Sequence, residues 1–256
     1  MEVTWKMLLI CCPLVMLGGF IDAIAGGGGL ITLPSYFLAG LPAHFAYGTN
    51  KFGSACGTAM AVSQYHRGGK IRWDYAPLAV LAAFAGAWCG AKIGLYLPER
   101  ALQLTMMVIL PIVGVFLITN RHLGEESDTP VTLTRLRRIV APVLIGFFVG
   151  AYDGFFGPGT GTFYTLAFTM SMGLSLIEAS GTAKVLNLVS NLTALVAYLL
   201  SGKVVFALAI PCAICSMIGN FIGAKMAVRV GAPLIRKMMT VVMVLLLIKV
   251  ASSFFS

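Results

Sequence analysis

Two aspartates, Asp22 and Asp153, each stand beside a cluster of glycines inside otherwise apolar sequence. The first cluster is Gly19-Phe20-Ile21-Asp22-Ala23-Ile24-Ala25-Gly26-Gly27-Gly28-Gly29. It returns as Gly150-Ala151-Tyr152-Asp153-Gly154-Phe155-Phe156-Gly157-Pro158-Gly159-Thr160, followed by Gly161. A carboxylate at membrane depth is costly and is a functional candidate for that reason. Asp22 and Asp153 could accept N–H bonds from their glycine loops and hold their shape, carry a coupling proton, or bind a cation. Glycine lets backbone come close to a ligand. The pieces after the breaks begin near Leu30 and Thr162, and their free N–H groups and positive dipole ends suit an anion. Tight packing of small residues is the alternative for such glycines. It is the preferred reading for Gly86/Gly90 and Gly219/Gly223, whereas packing alone needs neither an adjacent aspartate nor four glycines in a row.

A second pair of motifs follows each break. Gly48-Thr49-Asn50-Lys51 and Gly181-Thr182-Ala183-Lys184 lie several residues inside the start of an apolar segment. Lys51 and Lys184 could supply positive charge to an anion, pair with Asp22 and Asp153, or snorkel to the interface. Thr49, Asn50 and Thr182 offer neutral donors. Asn187 and Asn191 are one helical turn apart and are candidates to face the same cavity or to bond helix to helix. Lys92 and Lys225 lie near helix ends, where snorkelling is favoured. His44, His66 and His122 are scattered and form no metal pattern, and neither a metal nor a cofactor is expected.

These residues repeat in register. Gly19/Gly150, Asp22/Asp153, Gly26/Gly157 and Gly28/Gly159 are offset by 131, and Gly48/Gly181, Thr49/Thr182, Lys51/Lys184 and Gly90/Gly223 by 133. The expected fold is an all-α polytopic membrane protein of two homologous halves. The first repeat is 1–119, a polar connection occupies 120–138, and the second repeat is 139–256. Each half reads as a broken apolar segment and three long ones: 7–21 with 29–40, 44–65, 74–96 and 101–119, then 139–152 with 160–173, 177–200, 204–227 and 233–254. The long ones suffice for a bilayer, which takes about 20 residues. Residues 29–40 would make a helix of roughly 18 Å at about 1.5 Å per residue.

Two topologies compete. Each break can be an unwound single crossing, which makes the halves parallel, or a re-entrant hairpin, which makes them inverted. Basic residues concentrate on cytoplasmic loops. The hairpin topology puts ten on one side (Arg67, Lys70, Arg72, Arg121, Arg135, Arg137, Arg138, Arg229, Arg236 and Lys237) and three on the other (Lys6, Arg100 and Lys203). The single-crossing topology gives nine against four. The preferred arrangement is inverted halves, with both termini outside and the 120–138 connection in the cytoplasm.

Composition excludes most other classes. The chain is 59% hydrophobic and 11% charged, with mean hydropathy +0.92, against about 25% charge in soluble domains. The net charge of +9 sits between apolar stretches and reads as a topology signal, not as a nucleic-acid surface. Cys11, Cys12, Cys56, Cys89, Cys212 and Cys215 all fall in apolar segments and read as small packing residues. The weakly basic start and the internal copy of the first motif argue against a cleaved signal peptide.

The motif at 19–29, Pro34, the Gly48-Thr49-Asn50-Lys51 run and the second-half sequence at 152–159 resemble the TauE/SafE family of membrane transporters, the sulfite exporters, over about residues 8–250. The second cluster departs from the first, with Pro158 and Thr160 where Gly27 and Gly29 stand, so the two tips are not expected to contact a ligand equivalently. The resemblance implies a secondary transporter of sulfite, organosulfonates or related sulfur-containing or carboxylate anions in the bacterial inner membrane, with protons as candidate coupling partners. It leaves the substrate and oligomeric state open. The substrate-binding candidates are Gly26, Gly27, Gly28, Gly29, Thr49, Asn50, Lys51, Gly157, Gly159, Thr160, Gly161, Thr182 and Lys184, with Asn187 and Asn191 as cavity candidates. No catalytic residue is expected: there is no Gly-x-Ser-x-Gly, no spaced Ser/His/Asp set and no His/Asp metal cluster. A passive anion channel and an intramembrane enzyme are the competing readings.

Overall fold

The computed structural model describes residues 3–102, 104, 108 and 134–241, and all regular structure among them is helical. The long helices are α1 (Trp5–Ala25), α2 (Gly29–Leu38), α3 (Ala43–Arg67), α4 (Ala76–Tyr96), α5 (Arg135–Phe155), α6 (Thr160–Met172), α7 (Leu176–Leu200) and α8 (Phe206–Val230). Most of the segments expected over 101–119 and 233–254, and most of the 120–138 connection, lie outside the described residues.

Among the described residues, five helices are long and apolar enough to cross a membrane: α1, α4, α7, α8 and residues 136–155 within α5. The helix α3 has 25 residues, but its Asn50, Lys51, Ser54, Gln64 and His66 lower its apolarity. The molecule is inside-out relative to a soluble domain. Its outer faces carry Leu9, Leu81, Phe84, Ile93, Phe148 and Ile210, while alanines at 79, 83, 87, 91, 183 and 224 are fully buried. Lipid tails are as apolar as leucine, so helices in a bilayer associate through close packing of small residues.

The first helix of each half is longer than expected. The spacing suggested pieces ending near 21 and 152, but α1 and α5 have 21 residues each and run on to Ala25 and Phe155. Asp22 and Asp153 therefore lie inside the last helical turns. Only the second pieces are short, at 10 residues for α2 and 13 for α6.

Helix directions follow from which residues meet. Cys11 Sγ reaches the Ser35 carbonyl at 3.5 Å, and Gly18 packs on Thr32, so α2 folds back antiparallel on α1. In the same way Tyr164 of α6 donates to the Gly146 carbonyl of α5. The helices α1 and α8 run parallel, with Gly219 against the Met16 carbonyl and Gly223 against that of Phe20. The helices α4 and α5 match them, with Gly86 on Phe147 and Gly90 on Ala151. At the centre α3 and α7 run antiparallel: Gly48 meets Lys203, and Gly181 meets Lys70. The glycine contacts of α1 with α8 map onto those of α4 with α5, and the two α3–α7 contacts onto each other, when residues are exchanged by the sequence offsets of 131 and 133. Thr49 accepts the Val205 N–H at 3.2 Å, and Thr182 accepts the Arg72 N–H at 3.0 Å.

Backbone contact at Gly90 generates a prediction. A Cβ there would collide with the Ala151 carbonyl, whereas one at Gly94, a turn later in the same helix, would meet its nearest neighbours at an ordinary 3.4 Å. Gly90→Ala should lower stability by about 1–3 kcal/mol through overpacking. Gly94→Ala should be neutral or stabilising by up to about 1 kcal/mol through helix propensity. Thermal unfolding of the two purified variants in detergent should show opposite or clearly separated shifts.

Candidate functional site

The two hairpin tips meet. Gly26 closes α1 at φ +79°, and its N–H bonds the Asp22 carbonyl at 2.7 Å. A left-handed φ is strained for any residue with a side chain. Space is a second constraint, because a methyl group at Gly26 would overlap the Gly161 backbone at the start of α6. The second tip is tied differently. Gly157 has φ +93°, Thr160 Oγ1 donates to its carbonyl at 2.6 Å, and the Tyr152 hydroxyl donates to the Pro158 carbonyl at 2.6 Å. Thr162 Oγ1 donates to the Ala25 carbonyl at 2.6 Å and joins the tips.

Two buried ion pairs cross between the halves. Lys51 on α3 donates to Asp153 Oδ1 on α5 at 3.0 Å and to Asn191 Oδ1 at 2.9 Å. Lys184 on α7 donates to Asp22 Oδ2 on α1 at 2.8 Å and to the Asp22 carbonyl. An ammonium has three donors, so two of each lysine's three are used in these bonds. Neither lysine snorkels, since both are 2% exposed.

The aspartates differ in surroundings. Asp153 is 2% exposed, and its Oδ2 accepts from Asn187 Nδ2 at 3.3 Å and from Ser190 Oγ. Asp22 is 19% exposed, and among the described residues its Oδ1 accepts the Gly28 N–H alone, at 3.2 Å. The difference is written in the chain. Asn187, Ser190 and Asn191 on α7 have Ser54, Gly57 and Thr58 as their counterparts on α3.

A small polar cavity lies where these groups converge. It is lined by Asp22, Gly26, Gly29, Asn50, Lys51, Ser54, Asp153, Gly157, Thr160, Gly161, Asn187 and Asn191, and about 20 Å³ of it is open to the centre of a water-sized sphere. That is room for one or two waters. The fold thus gathers most of the candidate residues. Gly27 and Gly159 belong to the tips without lining the cavity, and Gly28 faces α1 and a neighbouring cavity. Thr49 and Thr182 are placed elsewhere, each fully buried and holding a loop N–H of the opposite half. Lys184 reaches the cavity through Asp22.

Sequence reasoning missed Ser54, Ser190 and Thr162. Ser190 stands three residues after Asn187, so helical spacing would have put it on the aspartate-facing side. The crosswise pairing of lysine to the opposite half carried no local signal at all. Lys92 and Lys225, expected to snorkel, stack on Trp88 and Phe221 at 5.1 and 5.7 Å. Outside the helices, hydrogen bonds from Arg72 hold the Asp74 carboxyl below the usual carboxylate range. Among the described residues no His/Cys/Asp/Glu group could hold a metal ion.

With this geometry in place, similarity to known proteins becomes informative. The sequence model of the family described as Sulfite exporter TauE/SafE matches residues 11–250. The chain is similar to the probable membrane transporter protein YfcA of Escherichia coli (strain K12), at 34% identity over 93% of this chain and 90% of that one. It is similar to a probable membrane transporter protein of Haemophilus influenzae at 32% over 94% and 93%. A probable membrane transporter protein of a Sinorhizobium species, ORF9, is 29% identical over 97% and 94%. No solved structure matches the chain.

The buried pairs make a stability prediction. Removing one partner of a buried pair strands a charge and costs about 3–5 kcal/mol. Lys51→Met should therefore be severely destabilising, and Lys51→Met with Asp153→Asn should recover most of the loss. Lys184→Met should cost less, because Asp22 is partly exposed. A double-mutant cycle read by unfolding in detergent checks this; additive effects of Lys51→Met and Asp153→Asn would contradict the pairing.

Proposed function

The chain belongs to the sulfite exporter TauE/SafE family and is a multi-pass membrane transporter; from that premise we propose that it is a secondary transporter of small anions. The substrates of this reading are sulfite, organosulfonates or related sulfur-containing or carboxylate compounds, carried across the inner membrane. The observation that carries it is the convergence of the two glycine tips on a buried cavity edged by Lys51 and, through Asp22, by Lys184.

Charge balance explains how such a cavity can admit an anion. Two lysines and two aspartates make it neutral overall. An anion that takes up a free N–H of Lys51 adds one negative charge, and a net charge in low dielectric is unfavourable. A proton taken up by Asp22 or Asp153 would restore neutrality and release a lysine to the substrate. Proton coupling is thus the reading that fits the pairs, and the two N-terminal helix ends of α2 and α6 would add partial positive charge. A passive anion channel would show no acceleration by a proton gradient.

The two halves are inverted in this proposal. Support comes from the antiparallel run of α3 against α7, their counterpart, and from the reciprocal contacts of the halves. The α1–α2 and α5–α6 hairpins then enter from opposite sides. The helix α2 returns the chain beside α1 in 10 residues, roughly 15 Å of rise and half of a ~30 Å core, which is compatible with a tip near its middle.

Two experiments test these readings. A screen in proteoliposomes with sulfite, sulfoacetate, taurine and simple carboxylates should find at least one transported anion. Asn50→Leu, which removes a cavity amide that does not touch either aspartate, should raise KM for it about tenfold, the value of about one lost hydrogen bond. An unchanged KM would take Asn50 out of the site. For topology, accessibility tags at Gly69 and Gly202, counterparts on exposed turns, should report opposite sides of the membrane. Labelling from the same side would end the inverted arrangement.

A further inference from the structure

A second cavity opens beside Asp22, between α1, α2, α3 and α8. It is lined by Asp22, Thr32, Ser54, Ser216, Asn220 and the glycines of the first tip, and it admits a water-sized sphere much as the central cavity does. Asp22, Gly29 and Ser54 line both cavities, so the Asp22 carboxylate stands between them. Asn220 is 2% exposed. Its Nδ2 donates to the Ser216 carbonyl at 3.0 Å, which fixes the amide's orientation. Its Oδ1 has no hydrogen-bond partner. A buried acceptor without a donor costs about 1–3 kcal/mol unless something donates to it, and a water in this cavity would do so. A water needs two to four polar partners, and Asn220, Asp22, Thr32, Ser54 and Ser216 provide them.

Among the described residues no equivalent cavity on the counterpart side serves Asp153. The counterparts of Asn220 and Ser216 are Ala87 and Ala83, both fully buried. The counterpart of Ser54 is Asn187, which is already bonded to Asp153. We propose that the Asn220 cavity is a hydrated proton route that ends on Asp22, and that Asp22 is the titrating carboxylate while Asp153 is a fixed partner of Lys51. This rests on the proton-coupled reading and assigns the two aspartates different duties within it. A water in the cavity relays a proton from solvent, accepting one as it passes one to an Asp22 oxygen, so that water is regenerated. The neutral carboxyl leaves Lys184 without its charged partner, and the same carboxyl later returns the proton to water. A cation in place of the water is disfavoured by the Lys184 ammonium at 2.8 Å and by the Gly28 N–H at the start of α2. The groups facing Asp22 are the Lys184 ammonium from α7, the Lys51 ammonium of α3 and the Asp153 carboxylate of α5 across the central cavity, the Tyr65 hydroxyl of α3 bonded to the Ala23 carbonyl, and the neutral side chains of Thr32 on α2, Ser54 on α3 and Ser216 and Asn220 on α8.

The test is pH-difference infrared spectroscopy of the purified protein in lipid nanodiscs, combined with uptake in proteoliposomes. Wild type should show a protonated-carboxyl band on acidification that Asp22→Asn lacks. Asn220→Leu, which fills the cavity, should slow hydrogen–deuterium exchange of that band and lose acceleration of uptake by a proton gradient, with counterflow exchange unchanged. Asn220→Ala, which widens the cavity, should keep fast exchange. The proposal is overturned if the band survives in Asp22→Asn, if no such band exists, or if Asn220→Leu exchanges at the wild-type rate. It is also overturned if Na⁺ at constant pH, and not protons, shifts the Asp22 signal. If the band behaves as expected while wild-type uptake ignores the proton gradient, the coupling reading fails and the hydrated route to Asp22 stands.

Discussion

The crosswise ion pairs are the constraint on which the rest of the structure depends. Lys51 of the first half holds Asp153 of the second, and Lys184 of the second holds Asp22 of the first. Neither of these lysines pairs with the aspartate of its own half. A lysine inside a membrane segment with no partner would be forced to the interface or to neutrality. Each pair therefore fixes how the halves dock, and docking brings the two glycine tips together. Buried ion pairs are weak contributors to net stability but strong penalties when broken. That asymmetry suits a moving part, because a pair can be opened only when something else supplies the missing charge.

Small residues then decide how closely the helices approach. Gly86, Gly90 and Gly154 bring α4 and α5 to backbone contact, and Gly219 and Gly223 do the same for α1 and α8. Gly48 and Gly181 let the ends of α3 and α7 seat on the Lys203 and Lys70 carbonyls. These interfaces are rigid frames around the tips. The tips themselves are held by few bonds, chiefly Thr162 to Ala25 and the internal bonds of Tyr152 and Thr160. Rigid parallel pairs flanking lightly tied hairpins are what a rocking exchange between two sides of a membrane would require.

Much of this was legible in the chain because the two sets of motifs keep a common register. The offsets of 131 and 133 located the paired aspartates, lysines and glycines, and the spacing of apolar runs placed α3, α4, α7 and α8. Three things were not legible. Helix length through Asp22 to Ala25 was hidden because a polar residue in apolar sequence looks like an end, whereas the Asp22 carbonyl accepts the Gly26 N–H and the helix continues. The fate of Thr49 and Thr182 was hidden because each bonds a loop more than 100 residues away. The choice of partner for each lysine was hidden for the same reason: own-half and opposite-half aspartates are identical in type, and only docking separates them.

The departures from symmetry carry as much information as the symmetry. A pair of identical hairpins would bind and release identically from both faces and would have no means to favour one carboxylate. Here the second half enclosed its aspartate with Asn187, Ser190 and Asn191, while the first half kept Ser54, Gly57 and Thr58 at those places and left Asp22 facing two cavities. Alanines 83 and 87 fill in the second half the space that Ser216 and Asn220 line in the first. Two carboxylates in different surroundings can take different duties, as paired acids with separated environments do elsewhere. The two charge pairs are equivalent in sequence position, but their neighbours differ: Asp153 gains two side-chain donors, Asn187 and Ser190, whereas Asp22 lines a second cavity as well as the shared one. On the transporter reading, that difference distinguishes a structural pair from a coupling pair within one repeated design.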